Sequence, residues 1–168
     1  MSFLGFTDDS GYGTSGNATQ PPPDTTLDTV DQGKDWGGNV PDPTESVDPQ
    51  INNTGVVVRI SWGEVSFLLT ADIEARAEQA ILADGIDLHA TVLKVPHHGS
   101  KTSSTRAFLD AVDPQVSVIS AGRDNIFGLP NAEVVDRLTE YGDVYNTADR
   151  GAVHFTTDGN HLWTHTDR

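Results

Sequence analysis

The stretch Leu93-Lys94-Val95-Pro96-His97-His98-Gly99-Ser100 decides how this sequence is interpreted. Its first part is a short apolar run that predicts a buried strand, and two adjacent histidines follow that strand directly. In α/β sheets, ligands collect at the carboxyl ends of strands. The two imidazoles are therefore candidates for catalytic or metal-binding groups, although adjacent histidines in a loop are often only polar surface residues.

A second apolar strand upstream ends in the same way. Leu68-Leu69-Thr70-Ala71-Asp72 delivers a carboxylate just past its apolar residues. Imidazole nitrogen together with carboxylate oxygen suits Zn²⁺, Mn²⁺ or iron. An Asp between a strand and a helix is also a common helix N-cap, so the residues alone leave both roles of Asp72 open.

Apolar runs and turn residues alternate along the rest of the sequence. They predict strands at 56–60, 65–69, 91–95, 116–120, 143–147, 152–157 and 161–164. They predict helices at 73–83, from Ser103 or Ser104 to 112, and at 130–141. Strands and helices that alternate in this way indicate an α/β domain.

Residues 1–50 differ in composition from the remainder. They hold nine acidic residues, one lysine and six prolines, with few branched aliphatic residues. Such a segment buries too little apolar surface to offset the entropy lost on ordering. We therefore divide the chain into a disordered acidic segment or long loop at 1–50 and a folded domain at 51–168.

The charge of the whole chain excludes several classes of function. The net charge is −15, with 19 Asp against 6 Glu and only 3 Lys. Acidity of this kind disfavours charge-driven binding to a nucleic-acid backbone and is typical of proteins kept soluble in high salt. The chain has no cysteine, which excludes disulfides and thiolate metal sites. We find no signal peptide or membrane-spanning run, and expect a cytoplasmic protein.

Several motifs together resemble a known family. Residues 52–159 are similar to the second half of the metallo-β-lactamase-fold domain at the end of ComEC-type DNA-uptake competence proteins and their soluble relatives. Phe67-Leu68-Leu69-Thr70-Ala71-Asp72-Ile73-Glu74 resembles the family's strand that ends in a metal-bridging Asp. The His-His-Gly-Ser stretch and Asn125-Ile126-Phe127-Gly128-Leu129-Pro130 resemble its next motifs, in the family's order.

The resemblance implies a fold and an activity. The fold is a partial αββα sandwich, of which this chain holds only the second half. The activity is hydrolysis, of a phosphodiester such as DNA, by a metal-bound hydroxide at a zinc or manganese centre. Asp72, His97 and His98 take the catalytic and metal-binding positions, with the choice between the two histidines left open. Candidates for contacts to the substrate are Ser100, Lys101 and Asn125.

The sequence departs from the family in three places. The His-x-His-x-Asp-His run of the family's first half has no counterpart here, and no histidine precedes residue 52. Ala71 replaces an expected Gly, and Leu129 replaces an expected His. The ligand set is therefore incomplete, and we expect a second chain with the missing half to complete it. Two alternatives stay open: a non-catalytic remnant or binding module of the same fold, and an unrelated acidic α/β domain.

Overall fold

The computed structural model describes the backbone of residues 27–30 and all of residues 51–168. The strands are β1 (Leu27–Val30), β2 (Val57–Trp62), β3 (Val65–Leu69), β4 (Val92–Lys94), β5 (Val116–Ile119), β6 (Asp143–Asn146), β7 (Val153–Thr157) and β8 (Leu162–Thr166). The helices are α1 (Ala75–Ala83), α2 (Arg106–Val112), α3 (Ala132–Thr139) and α4 (Thr147–Arg150). Short 3₁₀ turns lie at Ile51–Thr54 and Pro96–Gly99. Apart from the short α4, the elements within 51–168 follow the predicted order.

The main sheet has six strands in the order β1-β2-β3-β4-β5-β6. The strands β1, β2 and β3 pair antiparallel, whereas β3, β4, β5 and β6 run parallel. Parallel neighbours need crossover connections, which α1, α2 and α3 provide. The carboxyl ends of β3, β4 and β5 therefore share one edge of the sheet, and the segments singled out in the sequence follow these ends.

The two faces of the sheet carry separate apolar cores. Alternate residues of one strand point to opposite faces, so Leu68 and Leu93 join the helix-side core while Phe67 and Val92 join the other. On the helix side, α1, α2 and α3 contribute the buried residues Ala77, Ile81, Phe108, Leu109, Val112, Val134 and Leu138. This arrangement confirms the α/β class.

The second core is covered by the hairpin of β7 and β8, which forms a separate two-stranded sheet. Phe155 of β7 meets Phe67 edge-to-face, with ring centroids 5.6 Å apart. The amide of Glu64 also donates to the carbonyl of Gly159, at 2.6 Å, so the two hairpin turns are joined. The layers are thus helices, a mixed sheet and a small second sheet, as expected for part of an αββα sandwich.

Of the two roles that the sequence leaves open for Asp72, the structure does not use the helix cap. The helix begins after Glu74. The acceptor for the amides at its start comes from a residue far away in the sequence, since Asn53 Oδ1 accepts from the amides of Glu74 and Ala77 at 3.0 and 3.3 Å. Ala71 has a φ of 47°, so the chain turns sharply there and Asp72 lies outside the helix start. The side chain of Asp72 is therefore free of the capping role.

The caps of the other two predicted helices also shift along the chain. Thr105 caps α2, and neither Ser103 nor Ser104 does, because Ser104 lies at a φ of 56° and turns the chain ahead of the helix. Asn131 caps α3 through its side chain, so that helix starts after the predicted Pro130. The element types were predictable from local patterns, but the caps depended on the path of the preceding loops.

The division at residue 50 stays a prediction. β1 lies inside the acidic segment and pairs with β2, and the remainder of 1–50 lies outside the described residues. Within the part of the chain that the structure describes, no helix has the length and apolar content needed to cross a bilayer.

A close backbone approach at Gly142 gives a first stability prediction. A Cβ added there would lie 2.1 Å from the carbonyl oxygen of Gln115, which also accepts from the amide of Asp143. We expect Gly142→Ala to lower the free energy of unfolding by about 1–3 kcal/mol, because the α3–β6 turn must move away from β5. Urea unfolding measures the change. Gly122→Ala is the matched control, since its Cβ would meet only Asn125 Cβ at 3.9 Å, and an equal loss in both variants would contradict the prediction.

Candidate metal and phosphodiester site

The two histidines sit in a turn with unusual backbone geometry. His97, His98 and Gly99 have φ values of 47°, 55° and 77°, three successive residues in the left-handed region. Two non-glycine residues in this region cost of order 1–3 kcal/mol each, and such strain clusters at functional sites. The turn is held by a bond from the amide of His97 to the carbonyl of Ala71, at 3.2 Å, and by Pro130 packed against Gly99.

The ring of His98 has a defined orientation. Its Nδ1 lies 2.6 Å from the carbonyl oxygen of Ser120, at the end of β5. A carbonyl oxygen only accepts, so Nδ1 carries the hydrogen and, in the neutral ring, Nε2 keeps its lone pair. That Nε2 lies 3.5 Å from Oδ1 of Asp72. Two acceptors thus face each other, and either a proton on His98 or a cation between them would make the arrangement favourable.

His97 has different partners. Its Nδ1 lies 3.2 Å from Oε1 of Glu74 and 3.4 Å from Oγ1 of Thr102, and the Thr102 hydroxyl also donates to Glu74 at 3.1 Å. The sequence pattern did not select Glu74, although it stands only two residues beyond Asp72. The structure therefore brings Asp72 together with His98, and His97 together with Glu74.

Lys94 is a further charged residue that the sequence interpretation left out of the site. It ends β4, is partly buried, and donates from Nζ to the carbonyl of Val95 at 2.8 Å. Burial lowers the pKa of Lys94, and the negative charge of Asp72 partly restores it. The lysine thus adds positive charge on the inner side of the carboxylate.

The three predicted substrate contacts, Ser100, Lys101 and Asn125, differ in how their side chains are held by hydrogen bonds. Ser100 Oγ and Thr102 Oγ1 are hydrogen-bonded at 3.0 Å, and Lys101 is exposed. Asn125 braces its own loop: Nδ2 donates to the carbonyls of Gly122 and Leu129 at 2.8 and 2.6 Å, and Oδ1 accepts from the amide of Leu129 at 3.0 Å. The roles of all three in substrate binding stay predictions.

The strand-end carbonyl that orients His98 is itself braced. Oγ1 of Thr147 accepts from the amide of Ala121 and donates to its carbonyl, both at 3.0 Å. This hydroxyl ties the residue after Ser120 to α4. No sequence pattern indicated this contact, because it joins residues 26 positions apart.

Asp72 and His98 fit a divalent ion as two of its ligands. Their donor atoms face each other, and the backbone partner of His98 fixes the tautomer that leaves Nε2 available. Within 51–168, however, no group of three or more His, Asp or Glu side chains converges as a metal site. A catalytic zinc site normally has three protein ligands, so the described residues offer an incomplete set.

Comparison with known proteins identifies the family. The family model of the metallo-beta-lactamase superfamily matches residues 3–123, a range that includes most of the acidic segment. ComE operon protein 3 of Bacillus subtilis is 33% identical over 116 residues, covering 68% of this chain and 14% of that protein. Competence protein ComA of Neisseria gonorrhoeae is 33% identical over 115 residues, covering 67% and 17%. Recombination protein 2 of Haemophilus influenzae is 43% identical over 105 residues, covering 61% and 13%.

The chain thus spans less than a fifth of the length of these curated relatives. The matched family, the mixed sheet with helices on one face, and the relatives among competence proteins agree with the resemblance carried by the His-His-Gly-Ser stretch. The chain belongs to the metallo-beta-lactamase superfamily.

Proposed function

We propose that Asp72 and His98 hold a divalent ion, zinc or manganese, in a site that hydrolyses phosphodiester bonds. The observation that carries the proposal is the orientation of His98, whose Nε2 lone pair is aimed at the Asp72 carboxylate by the bond from Nδ1 to Ser120. A divalent ion bound there would polarise water and phosphoryl oxygens. His97 stands beside this pair in the same turn, where Glu74 and Thr102 hold its Nδ1.

The cations around the site support an anionic substrate. Lys94 places positive charge beside Asp72, and Lys101 is exposed next to Ser100 on the other side of the histidine turn. An ammonium group binds phosphate oxygens by charge-assisted hydrogen bonds. In our proposal Lys101 and Ser100 contact the substrate phosphate, and the protonated Lys94 offsets the negative charge that accumulates when phosphate approaches Asp72.

We further propose that the remaining metal ligands come from residues other than 51–168, either in a second chain with the other half of the fold or elsewhere in a longer protein. The two converging donors support this idea, because they fall short of the usual three. Stoichiometric, tight zinc binding by the isolated 168-residue chain would contradict it.

The lysine-poor acidic composition also supports a high-salt cytoplasm as the place of action in this proposal.

A second candidate is a non-catalytic binding module of the same fold. Ala71 and Leu129, which stand where the family has Gly and His, and the two-donor site favour it.

Hydrolysis of a chromogenic phosphodiester in high salt separates the two candidates. With the missing ligands supplied by the second chain or by the longer protein, we expect turnover of bis(p-nitrophenyl) phosphate that requires Mn²⁺ or Zn²⁺, stops on chelation and returns on resupply of the ion. The ion supplies the polarised water, so a folded chain without metal should show no rate above the buffer. Turnover that persists in chelator would contradict the metal site, and a folded protein that has the missing half and shows no turnover in either metal would favour the binding module.

A further inference from the structure

The loop between β5 and α3 exposes two large apolar side chains. Ile126 is 92% exposed and Phe127 is 77% exposed, the highest values among the large apolar residues in the described part of the chain. The loop is nevertheless well braced by the three side-chain bonds of Asn125. Rigid exposure of an aromatic ring to water is unfavourable, at about 25 cal/mol per Å² of apolar surface, so a contact that covers it would be favourable.

Both ends of this loop contact the histidine turn. At its start, the carbonyl of Ser120 accepts from His98, and at its end the amide of Asn131 donates to the carbonyl of Gly99 at 2.9 Å. Phe127 is only three residues from Pro130, which is at most about 11 Å of extended chain. The exposed ring is therefore attached within that length of a residue that packs against the histidine turn.

The charge of the chain limits how it could hold a nucleic-acid strand. A net charge of −15 leaves little room for binding by release of counterions from phosphates, especially in high salt. The cations near the site are few: the partly buried Lys94, Lys101 after the histidine turn, and Arg123 at the start of the loop, whose Nε donates to the carbonyl of Ala148 at 3.1 Å. Stacking of a base on an aromatic ring supplies affinity that depends little on salt.

We propose that Phe127, flanked by Ile126, is a stacking platform for a base of single-stranded nucleic acid whose phosphate lies at the Asp72–His98 site. This inference rests on the proposed function and adds to it a contact with the base. Every base has a π face, so the platform selects an unpaired strand over a duplex without selecting a sequence. The rigid loop keeps the ring in place before the strand arrives, which lowers the entropy lost on binding.

Binding in the presence of chelator tests the platform without requiring catalysis. The probes are a fluorescently labelled oligothymidylate and an oligonucleotide of the same length with abasic sugars, titrated in high salt and followed by anisotropy. We expect Phe127→Ala to weaken binding of oligothymidylate about 10-fold, to leave the weak binding of the abasic strand unchanged, and Phe127→Tyr to retain the parent affinity. Trp163→Ala is the matched control, because Trp163 is an exposed aromatic residue on β8, where its ring lies beside His161.

Three outcomes would overturn the inference. Phe127→Ala could bind both strands like the parent, it could lose affinity for both equally, or the parent itself could fail to prefer the strand with bases. A change in sedimentation of Phe127→Ala with unchanged DNA binding would assign the ring to a protein contact instead. Failure of the proposed function is distinct, because it appears as missing metal-dependent turnover of the small phosphodiester while base-dependent binding in chelator persists.

Discussion

We expect His98→Ala to bind Mn²⁺ about 100-fold more weakly than the parent chain. The reason is the geometry of the ring: Nδ1 is held by the carbonyl of Ser120, so Nε2 is the atom left to meet an ion beside Asp72. Removing the imidazole leaves one donor of the pair. Titration of free Mn²⁺ by electron paramagnetic resonance measures the affinity, and urea unfolding checks that the variant is folded.

The neighbouring histidine is the control for this prediction. The carboxylate beside His97 lies at Nδ1, whereas Asp72 lies at Nε2 of His98, so we expect His97→Ala to change Mn²⁺ affinity only a few-fold. Asp72→Asn should resemble His98→Ala, because the neutral amide is a weaker ligand than a carboxylate. A larger loss in His97→Ala than in His98→Ala would show that the assignment of the ligand to His98 is wrong.

A measurement without metal tests the same geometry. The bond to the Ser120 carbonyl requires a hydrogen on Nδ1 of His98 at neutral pH. Nitrogen NMR of the imidazole should therefore show the Nδ1–H tautomer, which is the minor form in free histidine side chains. The Nε2–H tautomer at His98 would contradict the orientation on which the site depends.

The sequence could place the site but could not complete its geometry. The strand ends after Leu69 and Val95 were visible as apolar runs, and parallel pairing of β3 with β4 then brings Asp72 and the histidines to one edge. The choice between His97 and His98 depends on left-handed backbone angles and on the carbonyl of Ser120, 22 residues away. No local pattern encodes a contact of that kind, so the choice stayed open.

The cap of α1 is a second feature that depends on a long-range contact and could not be predicted from the local sequence. An Asp before a helix favours capping, and the local pattern therefore competed with the metal role of Asp72. The conflict is resolved by Asn53, which lies before β2 and supplies the accepting oxygen for the first amides of α1. Local propensity assigned the cap to the nearest polar side chain, whereas the folded chain brought a better acceptor from 21 residues away.

Glu78 is the clearest example of a residue that local patterns pass over. It lies on the buried face of α1 between Ala77 and Ile81, and its side chain is fully buried. The carboxylate accepts from the amides of Ser104 and Thr105 at 2.5 and 2.9 Å, just where the loop after the histidine turn enters α2. Arg137 of α3 completes the cluster, since its Nη1 donates to the carbonyl of Ser104 at 2.5 Å.

We expect Glu78→Ala to lower the free energy of unfolding by about 3–5 kcal/mol, because each of its two hydrogen bonds to a charged group contributes about 1.5–3 kcal/mol. The substitution leaves the amides of Ser104 and Thr105 without their acceptor. Urea unfolding measures the loss. Gln79→Ala is the control on the same helix, because Gln79 is exposed, and we expect a change within about 0.5 kcal/mol. Equal losses in the two variants would contradict the structural role of the buried carboxylate.

The pH dependence of stability tests the same carboxyl in a second way. Burial is the largest influence on the pKa of Glu78 and raises it above the usual 4.5, against the hydrogen bonds from Thr105 and Ser104 and the charge of Arg137. The folded state therefore holds this proton more tightly than the unfolded chain does, and the contribution of Glu78 to stability falls as the pH rises from 4.5 through the raised pKa. Glu78→Gln cannot titrate there, so over this range the parent should lose stability relative to the variant. Parallel pH profiles for parent and variant would show that the pKa of Glu78 is not raised. The hydrogen bonds from Thr105 and Ser104 and the charge of Arg137 would then offset the effect of burial completely.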